Sequence, residues 1–91
     1  MVENRIALIG IIVEDTSQSA EINQLLHECG SYIIGRMDIP YRERRVGIIS
    51  VVLDAPENVI SALSGKLGKL PGVSVKTVYS KQGFAAGTPE K

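Results

Sequence analysis

Residues Tyr32–Asp54 read YIIGRMDIPYRERRVGIISVVLD and decide how this chain folds. They contain two apolar runs, Tyr32–Ile39 and Val46–Leu53, with the short polar segment Pro40–Arg45 between them. The runs are rich in Ile and Val and are too short for typical helices, which indicates strands. Two strands joined by a loop of about six residues predict a β-hairpin at the centre of one small sheet. Gly35 lies inside the first strand and indicates a bulge there.

The chain before this hairpin predicts a strand followed by a helix. Ile6–Val13, IALIGIIV, is apolar at odd and even positions alike, as in a strand that is covered on both faces. Four residues then recur at the spacing of one helical face: Ile22, Leu25, Leu26 and Cys29. We therefore expect an amphipathic helix over Ser17–Cys29, with Gly30 as its C-terminal stop.

A second helix and a last strand follow the hairpin. Pro56 suits the first helical position, where its missing N–H costs nothing. The buried stripe of that helix is predicted to be Val59, Ile60, Leu63 and Leu67. Pro71-Gly72 closes the helix, and Val73–Ser80 alternates as a strand does.

The element order is therefore β-α-β-β-α-β. Right-handed crossovers place both helices on one face of a four-stranded antiparallel sheet, which is the α+β, ferredoxin-like arrangement. Residues 1–81 form this single domain, and Gln82–Lys91, which shows no periodicity, is predicted to be a disordered tail. The other face of the sheet is left bare although its strands are apolar there. A second copy is expected to cover it, giving a homodimer or higher homo-oligomer.

Composition excludes several classes of protein. Lys plus Arg equals Asp plus Glu at ten each, which argues against tight binding to nucleic acid or to an anionic membrane. One cysteine rules out an internal disulfide, and one His with one Cys cannot build a usual zinc site. With no signal peptide and no apolar run long enough to span a membrane, the chain is expected to be soluble and cytoplasmic.

The sequence contains no set of residues that would support catalysis or bind a cofactor. An iron–sulfur cluster needs about four thiolates, and the chain has one. A phosphate-cradling loop after the first strand would meet Glu14 and Asp15, which repel an anion. His27 and Cys29 lie two residues apart on a helix and point in divergent directions. We expect no enzyme, no cofactor and no metal site of the chain's own.

Two segments are candidates for binding. Residues Asp15, Thr16, Ser17 and Gln18 open the first helix, and their amides and hydroxyls can hold the carboxylate or amide end of a small effector. The alternative is a plain helix cap. Arg36, Tyr41 and Arg42 on the hairpin form a candidate anion or partner-docking patch. The alternative there is a solvated loop that discourages aggregation at the sheet edge.

Four stretches carry a resemblance to a known family. They are Glu3–Asp15 (ENRIALIGIIVED), Gly35–Tyr41 (GRMDIPY), Gly47–Asp54 (GIISVVLD) and Leu67–Lys81 (LGKLPGVSVKTVYSK). With these segments the chain resembles the iron-only hydrogenase system regulators, a family of small ACT-like domain proteins. The resemblance covers nearly all of the chain from Glu3 to Lys81.

This resemblance implies an ACT-like fold, oligomerisation through the sheet and regulation of the iron-only hydrogenase system. The module would bind a small effector or a partner regulator protein at an oligomer interface. The chain has no DNA-binding motif, so any transcriptional effect should run through a partner. One alternative is a transition-metal-responsive sensor, similar to the C-terminal domain of nickel-responsive repressors, that uses Cys29 and His27 but lacks their several His ligands. The other alternative is a purely structural interaction domain.

Overall fold

The structure is a computed structural model that describes residues 3–81 and the backbone of residues 84–85. Its elements are β1 (Glu3–Val13), α1 (Ser19–Glu28), β2 (Ile33–Tyr41), β3 (Val46–Pro56), α2 (Glu57–Gly68), β4 (Val73–Tyr79) and β5 (Phe84–Ala85). The main sheet has the strand order β2-β3-β1-β4, with all neighbours antiparallel. The predicted ferredoxin-like α+β fold is confirmed. Neither described helix is long and apolar enough to cross a membrane.

From Ala7 to Val13, the side chains of β1 alternate between a buried and an exposed face of the sheet. Its odd residues from Ala7 to Val13 are buried beneath the helices, whereas Leu8 and Ile12 on the other face are exposed. α1 packs onto the buried face with Ile22 and Leu26, and α2 packs with Ile60, Leu63 and Leu67. The apolar pattern of this strand therefore supplies one buried face and one exposed apolar face.

The exposed apolar side chains gather on the sheet face opposite the helices, here called the open face. Seven of them keep between 38% and 62% of their surface accessible. They are Leu8, Ile12, Met37, Ile39, Tyr41, Ile48 and Val78. Monomeric proteins rarely leave contiguous apolar patches of this kind uncovered.

The strand register determines the surface shape of the open face. Two apolar ridges cross the sheet, Ile39–Ile48–Ile12 and Val52–Leu8–Val78. Gly10 and Ser50 are register partners and lie between these ridges. Because both residues are small, the open face has a shallow trough at its centre, and Met37 and Lys76 stand at the two ends of the same row.

The hairpin is longer than the sequence predicts. β2 runs to Tyr41 and β3 begins at Val46, so the connection is Arg42–Arg45 and not Pro40–Arg45. Pro40 pairs with Gly47 at the sheet edge, where a residue without an N–H is tolerated. The predicted bulge at Gly35 is confirmed, because the register shifts between Ile33 and Gly35.

Both helices begin slightly later than predicted. Thr16–Gln18 forms a tight 3-10 turn before α1 begins at Ser19, because Asp15 accepts a hydrogen bond from the amide of Ser17 and holds the first turn tight. Pro56 is the last residue of β3 and caps α2, which begins at Glu57.

β5 is a strand that the sequence did not predict. Phe84 and Ala85 pair with Asn4 and Glu3 of β1, so the chain is a strand at two residues where a disordered tail was expected. The pairing is possible because β4 ends opposite Ala7 and the Ser80 amide bonds to the Ile6 carbonyl, which leaves the edge of β1 before Ile6 to β5. The other residues of the expected tail, 82, 83 and 86–91, lie outside the described residues.

Candidate functional site

A groove lies between the start of α1 and the β2–β3 hairpin. Its volume is about 340 Å³, near the lower end of the range for small-molecule sites, about 300–1,000 Å³. We call it the hairpin groove. It is lined by Val13, Thr16, Ser19, Ile22, Asn23, Arg36, Asp38, Ile39, Pro40, Tyr41, Arg42, Arg45, Val46, Gly47, Ile48 and Ile49.

The hairpin groove has an apolar interior and a polar rim. Val13 and Ile22 belong to the hydrophobic core, and Ile49 packs against it. The rim carries hydroxyls and an amide on the helix side, and arginines on the hairpin side. A few polar groups around an apolar wall are typical of sites that fix the orientation of a small ligand.

Arg36 is fixed in place by two partners. Its Nε donates to Asp38 Oδ1 at 2.7 Å, and its Nη2 donates to Asp38 Oδ2 at 2.9 Å and to Asn23 Oδ1 at 2.8 Å. These bonds hold the pKa of Asp38 below its ordinary value, the hydrogen bond from Arg36 being the main cause. They also raise the pKa of Arg36. The contact with Asn23 ties the edge strand β2 to α1 across the groove.

Of the four residues predicted at the first helix start, the structure places one in the groove. Thr16 lines it, whereas Asp15, Ser17 and Gln18 do not. Asp15 accepts from the Ser17 amide at 3.0 Å and from the Ser17 hydroxyl at 2.6 Å. The Ser17 hydroxyl, followed by its amide, lowers the pKa of Asp15. Asp15 and Ser17 thus cap the 3-10 turn that leads into α1, which is close to the helix cap that was the alternative interpretation. Effector binding by this segment stays a prediction.

Gly72 packs against the turn that carries Thr16. The Glu14 amide donates to the Gly72 carbonyl at 2.8 Å. Gly72 has a φ of 70°, and a Cβ at this position would lie 2.7 Å from the Cβ of Asp15. Only a residue without a side chain fits, so Gly72 fixes the end of β1 against the turn before β4.

All three residues predicted on the hairpin line the same groove. Arg36, Tyr41 and Arg42 stand opposite Thr16, so two candidate sites that are separate in sequence meet in one place. The sequence did not single out Ser19, Asn23, Asp38 or Arg45 as site residues. Asp38 had a signal, since it lies two residues after Arg36 and therefore on the same face of the strand.

The groove carries an excess of positive charge. Three arginines line it against one aspartate, and Asp38 pairs with Arg36. Among residues 3–81, Arg42 and Arg45 form no ion pair. Two guanidinium groups at the hairpin tip are therefore available to an anion.

The residues of the metal-sensing alternative lie elsewhere. His27 is exposed on α1, and Cys29 is half-buried against the core. Burial is the main cause that raises the pKa of the Cys29 thiol, and Glu28 adds to it. Within the described part of the chain, no three His, Cys, Asp or Glu residues come together as metal ligands.

Comparisons with known proteins agree on fold and family. Residues 5–77 match the TM1266-like family, described as "Iron-only hydrogenase system regulator, putative". The uncharacterized protein TM1266 from Thermotoga maritima is 42% identical, with a TM-score of 0.82, covering 87% of this chain and 100% of that chain. A formyltetrahydrofolate deformylase from Pseudomonas putida KT2440 is 11% identical, with a TM-score of 0.59, covering 80% of this chain and 28% of that chain. No curated protein matches the chain.

The deformylase likeness concerns the fold alone, because so few residues are identical. The family match runs from within β1 to within β4 and includes both helices, β2 and β3. The TM1266 likeness extends over the whole of that protein. The resemblance found in the sequence segments is thereby confirmed. The chain belongs to the TM1266-like family, the family of the iron-only hydrogenase system regulator.

Proposed function

We propose that this protein is a non-catalytic regulatory module of the iron-only hydrogenase system that binds a small effector in the hairpin groove and self-associates through the open face. One observation carries the proposal. Ile39, Tyr41 and Ile48 line the groove and also belong to the exposed apolar set of the open face. The register places the side chains of these three residues on the open face. An occupant of the groove would therefore contact strand residues whose side chains a second copy would cover from the opposite face of the sheet.

A second copy is the occupant that suits the open face best. The patch is apolar across β2, β3 and β1, and on β4 it continues at Val78, beside Ser74 and Lys76. Packed sheets lie about 10 Å apart, with side chains from the two faces interdigitating. In a twofold arrangement the same patch meets itself, so a ridge of one copy can enter the trough at Gly10 and Ser50 of the other.

Regulation follows from linkage between the two surfaces. A ligand that binds the assembled form more tightly than the free form shifts the equilibrium toward assembly by the ratio of the two affinities. The strand residues common to the groove and the open face would transmit this difference from one face of the sheet to the other. The output would pass to a partner regulator protein in the cytoplasm, in keeping with the balanced charge and the single cysteine of the chain.

The test is native mass spectrometry and size-exclusion chromatography of the wild type, Ile12→Lys and Ile34→Lys. Ile12 belongs to an open-face ridge, whereas Ile34 is the same residue type and even more exposed but stands at the bulge of the edge strand. We expect a dimer or larger assembly for the wild type and for Ile34→Lys, and a folded monomer for Ile12→Lys. A wild type that is monomeric at every concentration, or equal loss in both variants, would refute self-association through this face.

A further inference from the structure

From the charges, walls and size of the hairpin groove, we infer that its ligand is a small organic carboxylate with an apolar body, whose carboxylate is held by Arg42 and Arg45. This inference rests on the proposed function, because it names the class of effector for that same groove. It adds the chemistry by which the effector would be selected.

The hairpin tip supplies the anion-binding groups. The Nε and Nη2 of Arg36 donate hydrogen bonds to Asp38 and Asn23, and the carboxylate of Asp38 compensates the charge of Arg36. Arg42 and Arg45 line the groove without an ion pair among residues 3–81. A guanidinium group matches a carboxylate with two parallel hydrogen bonds, and such charged bonds are about twice as strong as neutral ones.

The backbone of Arg45 points to the same role. Its φ of 54° is left-handed, and it is the one non-glycine residue with a positive φ in the described chain. Glycine or asparagine occupies this conformation at lower cost than arginine. An arginine kept in this conformation lines the groove, whereas its neighbour Arg44 does not. Strain of this kind is characteristic of positions where a side chain must be presented to a ligand.

The inner walls select the rest of the ligand. The groove wall includes Ile49 and the buried core residues Val13 and Ile22, so it is aliphatic. A volume of about 340 Å³ suits a short branched or single-ring acid. Thr16 and Ser19 lie on the helix side, where their hydroxyls can bond a second polar group of the ligand. Inorganic phosphate would leave the aliphatic walls uncovered, so affinity for it should be low.

Isothermal titration calorimetry on the full chain tests the inference. The probes are phenylacetate and isovalerate, their neutral counterparts phenylacetamide and isovaleramide, and inorganic phosphate. We expect the acids to bind, the amides and phosphate to bind at least tenfold more weakly, and added salt to weaken binding of the acids. Arg42→Gln and Arg45→Asn should each lower affinity for the acids about tenfold.

Arg44→Gln is the matched control, since it removes the same charge from the same turn but outside the groove. Its affinity for the acids should stay within about twofold of the wild type, the small change reflecting screened long-range charge. Arg45→Asn should also raise the melting temperature while it lowers affinity. A purely structural arginine would not give opposite changes in the two measurements.

Four results would overturn the inference: equal binding of acids and amides, preference for phosphate, equal effects of Arg42→Gln and Arg44→Gln, or no binding of any acid. These results differ from failure of the proposed function. If the open-face variants still separate assembly from monomer while no acid binds, the ligand class is wrong and self-association stands. If the acids bind but every form is monomeric, the ligand class stands and regulation through assembly is wrong.

Discussion

The two faces of the sheet are built from the same strands and carry nearly the same residue types, yet one face is buried and the other is exposed. On β1, Ile9 and Ile11 are fully buried, whereas Leu8 and Ile12 beside them keep more than a third of their surface exposed. The helix-covered face holds the monomer together. The open face contributes little to that monomer and, in our proposal, serves a second copy. Apolar character alone thus does not tell which residues fold the chain and which ones bind.

The sharpest way to break this comparison is to truncate neighbouring isoleucines. Ile11→Ala should lower the free energy of unfolding by about 2–5 kcal/mol, because it leaves a cavity in a packed core. Ile12→Ala should cost the monomer less than about 1 kcal/mol, since that side chain is half in solvent. Urea unfolding at several protein concentrations measures both. Only Ile12→Ala should weaken the concentration dependence, and equal losses from the two would contradict the division of the faces.

The second prediction concerns the end of the helix-covered face, where Gly72 meets Asp15. Gly72→Ala should destabilise the fold by about 2–3 kcal/mol, because its φ of 70° is left-handed and its Cβ would clash with Asp15. Thermal or urea unfolding measures this effect. The control is Gly65→Ala in α2, where the added methyl meets nothing within 4 Å and should stabilise the helix. Two destabilised variants would show that the clash at Gly72 is not the cause.

The third prediction concerns the hairpin tip that both surfaces share. Arg45→Asn should raise the free energy of unfolding by about 0.5–1 kcal/mol, because asparagine tolerates a left-handed backbone better than arginine does. Arg44→Asn, outside the left-handed position, should not stabilise. Differential scanning calorimetry distinguishes these outcomes, and a gain in both variants would point to relief of charge repulsion instead.

The smallest expected effect is the loss of folding stability at low pH. The pKa of Asp38 is lowered by its hydrogen bonds from Arg36, and that of Asp15 by Ser17. A lowered folded pKa gives stability that is present above the ordinary carboxylate pKa of about 4 and is lost as pH falls through the folded value. Stability should therefore fall as the pH drops below about 4, and the stability of Asp38→Asn should fall less. An identical acid profile for that variant would exclude Asp38 as a contributor.

Much of the fold was predictable because its signals are local. The Ile- and Val-rich runs of the hairpin, the i, i+3, i+4 spacing of α1 and the interior glycine at Gly35 each indicated a structure that is present. The loop was predicted to begin at Pro40, but Pro40 belongs to β2, because an edge strand accepts a proline that a central strand would not. The two-sided apolar pattern of Ile6–Val13 did indicate the exposed apolar face.

The groove was less predictable because it depends on distant contacts. Thr16 and Arg36 could be named separately, but their meeting depends on how α1 packs across the hairpin, through the bond from Arg36 to Asn23. Arg45 carried no signal, since its role depends on a backbone conformation set by the turn. β5 was missed because its pairing partner, the start of β1, lies at the opposite end of the sequence.

That last pairing has a consequence for how the chain can be rebuilt. Glu3 and Ala85 are register partners, so the two ends of the described chain meet at the edge of the sheet away from the hairpin tip. A circular permutant that joins these ends through a short linker and opens the chain at the tip would keep every strand neighbour in place. Reporters fused at this edge would stand clear of the groove. A folded permutant would show that the architecture does not depend on the order of the strands along the chain, and the domain could then be inserted into another protein.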